Sequence, residues 1–121
     1  MIHNIFEIPV DNNKLSLDNR AIRSYCLSLA KKNKGRVMTN SGGWQSNDLP
    51  KNEEVLMPFY ENITYYANEF VKRLEFNGVA KLSNVWVNIN GYKDNNNTQH
   101  QILYFLIIFV ICKISLNETV L

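Results

Sequence analysis

VAKLSNVWVNING, residues 79–91, is the stretch whose reading decides the fold. Val85, Val87 and Ile89 alternate with Trp86, Asn88 and Asn90. Successive side chains of an extended chain point to opposite faces, so the alternation predicts a strand with one apolar face and one face of amides. Its β-branched and aromatic residues suit a pleated, half-buried surface. Everything upstream of it with a clear period reads at 3.6 instead of 2, and the two periods together predict an α+β fold.

Just upstream, residues 52–77 carry the strongest helical signal. Val55, Phe59, Ile63, Tyr66, Phe70 and Leu74 form a stripe expected to be buried on one face, and the tyrosines of FYENITYY are read as completing that face. Asn52 reads as the cap, Glu53 and Glu54 suit the positive end of the helix, and Lys72 and Arg73 suit its negative end before Gly78. Pro58 removes a backbone donor, so the regular helix is expected to begin near Met57. A second amphipathic helix is predicted from Ile22, Tyr25, Cys26, Leu29 and Ala30, capped by Asp18 or Ser16 and closed by Lys31, Lys32 and Lys34 before Gly35. TNSGGWQSNDLPKN, residues 39–52, reads as a loop with Trp44 as its one anchor, and Trp86 is likewise read as a core anchor. At the N-terminus, HNIFEIPV is expected to be an edge strand, because Pro9 cannot donate to a ladder.

Downstream, an Asn-rich loop ends at His100 and gives way to an apolar run, residues 102–111. A bilayer span needs about 17–25 apolar residues, so this run is expected to supply the sheet's last strand, with a tail anchor as the alternative of a different class. The expected architecture is a single domain, residues 1–121. Two amphipathic helices pack on one side of a small, incomplete, mainly antiparallel sheet made from the N-terminal strand, residues 79–90 and the tail. Thirteen basic and eleven acidic side chains leave a net charge of +2 with no basic block, which argues against a nucleic-acid partner. Cys26 and Cys112 make neither a disulfide framework nor a metal-ligand spacing. The start MIHNIFEIPVDNN has no signal-peptide pattern, so a cytoplasmic location is expected and the glycosylation patterns at Asn62 and Asn117 are read as chance.

NSGGWQS in a loop, then a long amphipathic helix, then NVWVNINGY, then Asn97-Thr98-Gln99-His100, is an order of motifs that resembles the amino-terminal part of a family of 2-oxoglutarate/Fe(II) oxygenase-like proteins of marine phages and bacteria. The resemblance covers about residues 1–101; residues 102–121 are an apolar tail of atypical sequence. It implies the front part of a double-stranded β-helix, a dioxygenase that uses Fe(II) and 2-oxoglutarate to hydroxylate a substrate, and a phage-infected host or bacterium as the setting. A non-haem Fe(II) site takes two imidazoles and a carboxylate on one face, leaving positions open for oxygen and the oxoacid. His100 matches the first ligand of the family's N-x-x-H-x-H-P run. The match then stops, since Ile102 stands where the second histidine belongs and no later histidine or basic residue follows the pattern. A truncation or a shifted reading frame after residue 101 is the expectation this break raises, and with it a chain inactive as it stands. Asn88 and Asn90 either line a pocket or are ordinary solvent-face amides. The competing reading is a non-catalytic α+β or tail-anchored protein of unknown partner.

Overall fold

The computed structural model describes residues 1–3, 5–36, 43–91 and 104–116. Helix α1 spans Asn19–Lys32, and the Asp18 carboxylate accepts the Ala21 N–H at 3.1 Å, so the aspartate caps it and Ser16 does not. Lys31 and Lys32 occupy its last turn, and its buried residues are Ile22 and Cys26. A 3₁₀ turn at Glu54–Leu56 leads into helix α2, Met57–Arg73, the longer of the two helices. Pro58 stands in the first turn, where its missing N–H has no intrahelical acceptor to lose; it starts the helix instead of interrupting it. The helix closes with Phe76 N–H on Val71 O and Glu75 N–H on Lys72 O, and Glu75 takes the left-handed conformation usual for glycine there.

Three strands form one antiparallel sheet in the order β1 (Trp44–Gln45), β2 (Gly78–Gly91), β3 (Tyr104–Leu116). Together with the two helices this makes the α+β fold expected. The apolar tail is a strand, and among the described residues no helix is long and apolar enough to cross a membrane. Ser83 is an extra residue in β2: Leu82 pairs with Cys112 and Asn84 with Ile111. Such a bulge reverses the side-chain alternation. Ala80 and Leu82 before it therefore share a face with Val85, Val87 and Ile89 after it, and this face packs against Ile22, Cys26, Leu49, Leu56 and Tyr60.

Three expectations are corrected. Residues 1–3 and 5–10 are not a strand of this sheet: Met1, Ile2, Ile5, Phe6, Ile8 and Val10 are 81–108 % exposed. The loop predicted over residues 39–52 contains strand β1. The stripe Phe59, Ile63, Tyr66, Phe70 and Leu74 of α2 is half-buried, and the buried side is Tyr60 and Val71, continuous with Leu56. Asn68 explains that rotation. Its amide accepts the Ala80 N–H at 2.9 Å and donates to Ala80 O at 3.1 Å, binding the helix to the strand along the Tyr60 side. Ile63, Tyr66 and Phe70 instead line a cleft of about 470 Å³ shared with Pro9, Val10 and Leu15. Next to it the Asp11 carboxylate pairs with Arg73 at the end of α2.

Candidate functional site

The two stretches that carried the family resemblance meet in the sheet. Trp44 pairs with Ile89 and Gln45 with Asn88. Beyond β1 the chain stays on the edge of β2: Ser46 N–H donates to Val87 O at 2.9 Å, the Val87 N–H donates to the Ser46 hydroxyl at 3.0 Å, and Leu49 N–H donates to Val85 O at 2.7 Å. Trp44 is half-buried against the core, and its indole N–H donates to Asn33 O at 2.9 Å. That contact ties β1 to the end of α1. Gly35, at φ +70°, leaves no room for a side chain beside the Gln45 carbonyl and the Trp44 ring. Gly43 is crowded in the same way by the Asn90 amide.

On the face of β2 opposite the core, the polar groups are mostly engaged. Asn84 donates to Asp48 at 2.8 Å and accepts from the Ser83 hydroxyl, while Asp48 pairs with Arg36 at 3.3 Å and Arg36 Nε donates to Ser46 O. This chain of side chains cross-links the segment around β1 to β2. Asn88 differs, because its Oδ1 is buried with no hydrogen-bond partner among the described residues. A buried acceptor left unpaired costs free energy, so a donor is wanted at this position.

His100, with Asn97, Thr98 and Gln99, lies outside the described residues, as does Glu118. His3 is exposed in the N-terminal segment. No group of three His, Cys, Asp or Glu side chains that could hold a metal occurs among the described residues. Nor is an activated nucleophile assembled among the described residues. Burial pushes the Cys26 thiol up to about 11, so it stays protonated and unreactive near neutrality. Burial, foremost, also pushes the Tyr60 hydroxyl up to about 12, and that hydroxyl donates to Pro50 O at 3.0 Å. The Ser46 hydroxyl serves the Val87 backbone. These buried polar groups hold the structure together, and the sequence reading had singled out none of Asn68, Ser46 or the Arg36–Asp48–Asn84 chain. A lone polar residue amid the apolar positions of a helix was the available signal for Asn68. Nothing local marked the others, since their partners come from distant parts of the chain.

No family model, no curated protein and no solved structure matches this chain.

Proposed function

We propose that the chain is a non-catalytic α+β module resembling the front part of the Fe(II)/2-oxoglutarate oxygenase-like proteins, and that these residues alone do not decarboxylate the oxoacid. The observation that supports the kinship is the pairing of residues 44–45 with 88–89. Two motifs far apart in sequence, chosen for their order and not for any expected contact, are neighbouring strands. In the family, as the resemblance implies, the tryptophan-and-asparagine strand runs through a glycine into the histidine motif, and here β2 ends at Gly91, nine residues before His100.

Donor arithmetic supports the lack of turnover. A facial triad needs two imidazoles and a carboxylate, and the sequence holds two histidines, His3 and His100. His3 stands exposed on the N-terminal segment and has no counterpart in the family's motif. A single imidazole at His100 does not hold Fe(II) against water and cellular chelators. The residues described therefore do not fit an Fe(II) site, and no catalytic step is derived through one.

The test is succinate release by the purified chain supplied with Fe(II), ascorbate and 2-oxoglutarate, run beside His100→Ala. Neither protein is expected to exceed the protein-free background. Succinate made by the chain and lost in His100→Ala would overturn the reading and require the missing ligands to come from these residues or from a partner subunit.

A further inference from the structure

Two features of this molecule each lack a partner. One is the N-terminal arm, residues 1–10, whose six large apolar side chains are all exposed. From Phe6 onward the apolar residues Phe6, Ile8 and Val10 alternate with Glu7 and Pro9, the pattern of a short strand with one apolar face, while Met1, Asn4 and Ile5 fall outside it. The other is β3, thirteen residues long and, among the described residues, bonded on one side only, to β2. A long apolar edge with a single charge, Lys113, invites another strand.

We propose that these two features complete each other between two copies of the chain: the arm of each copy adds as an antiparallel strand to the β3 edge of the other. Charge sets the register. Glu7 is the arm's only acidic residue and Lys113 the only charged residue of β3, and placing them opposite each other aligns Phe6 with position 114, Ile8 with 112 and Val10 with 110. Positions 114, 112 and 110 pair with Ala80, Leu82 and Val85 of β2, whose side chains lie on the core face. The same register therefore puts Phe6, Ile8 and Val10 over the core, and Ile5 and Glu7 on the opposite face. Charge selects the alignment, and the pattern of Phe6, Ile8 and Val10 agrees with its parity.

The area is that of a small contact between two copies. Burying a large apolar side chain removes about 60–120 Å², so the six core-face side chains of two exchanged arms, Phe6, Ile8 and Val10 of each, bury roughly 360–720 Å² before the covered strand edges are counted. With those edges the contact lies at the low end of specific interfaces, below about 1,200 Å². In the isolated chain the root of the arm is held at Asp11 by Arg73, and the arm beyond it stays uncovered. The exchange is reciprocal, so both edges are closed and assembly stops at two. Pro9 adds to this, since it lacks the N–H that a further strand would use.

The experiment measures mass in solution by light scattering, together with amide exchange. The wild-type chain is expected at twice the chain mass, with protected amides in residues 5–10. Phe6→Asp and Ile8→Asp, at positions exposed in the single chain, should halve the mass with unchanged far-UV circular dichroism. Glu7→Lys and Lys113→Glu should each weaken the dimer about two- to fivefold, and the two changes combined should restore it. A monomer at the highest soluble concentration would overturn the proposal, and protected arm amides in that monomer would assign the arm to its own β3 edge. A dimer that survives Phe6→Asp, or that ignores the charge exchange, would place the contact elsewhere.

Discussion

Asn68 carries more of the fold than its place in an amphipathic helix suggests. An amide has one donor and one acceptor side by side, as a strand does, so it can stand in for a neighbouring strand at Ala80. Asn68→Ala leaves both backbone groups of a buried residue unsatisfied and should cost roughly 1–3 kcal/mol for each, read from urea denaturation. Asn68→Asp keeps the acceptor but sets a carboxylate against the Ala80 carbonyl, so it should rescue little. Cys26 and Tyr60 make a second residue-level prediction, for alkaline pH. Both fold into sites that raise their values, from 9.0 to about 11 and from 10.0 to about 12, with burial as the first cause. Between those limits the unfolded chain has released protons that the folded chain still holds, so unfolding gains with each step in pH. Stability should be complete below about pH 9 and decline from there toward pH 12. Tyr60→Phe should flatten the upper part of that decline in a series of denaturation midpoints, and an unchanged slope would place the tyrosine outside the effect.

The elements differ in how far local sequence determines them. Asp18 and the closing lysines mark the ends of α1 because capping and dipole effects act within one turn, so both ends were legible. Pro58 was legible as a boundary for the same reason. The inward face of α2 was not: its period is evident, but two adjacent stripes are apolar, and the choice between them depends on Asn68 meeting Ala80 across the fold. Leu56→Ala, at a fully buried site, should cost about 2–5 kcal/mol, whereas Phe70→Ala, half-buried beside the N-terminal segment, should cost distinctly less. Equal losses would restore the stripe read from sequence. In the β2–β3 pair Lys81 stands opposite Lys113, and like charges in that position are destabilising. Lys81→Glu should therefore stabilise the chain by about 0.2–1 kcal/mol, an effect that salt should diminish.

At the scale of the whole molecule, one residue sets which side of the sheet is inside. The strand sequence from Asn84 to Gly91 announced itself by alternation, and the alternation is true only on that side of Ser83. Val79 and Lys81, whose parity matches Val85 and Val87, are exposed, whereas Ala80 is buried. A one-residue change of register moves every side chain of a strand to the other face, so with Ser83 paired regularly the two halves of β2 could not share a core. Sequence alternation alone could not reveal this, because the extra residue is recognised only against the uninterrupted β3. The N-terminal segment was expected as an edge strand and is not one of this sheet for a related reason: an apolar segment does not by its own pattern say whether a sheet edge receives it. Deleting Ser83 tests the argument directly. Without Ser83, Leu82 directly precedes Asn84 and their partners Cys112 and Ile111 are already consecutive, so a regular ladder keeps Ala80 and Leu82 on the core face and Lys81 outside, and the deletion should preserve cooperative thermal unfolding. Ser83→Ala keeps the residue count and loses only the hydroxyl's bond to Asn84, a matter of about 1 kcal/mol. If the deletion instead abolished cooperative unfolding while Ser83→Ala stayed mild, Ser83 would not be a simple extra residue in the ladder, and the shared core of the two halves of β2 would have to be explained otherwise.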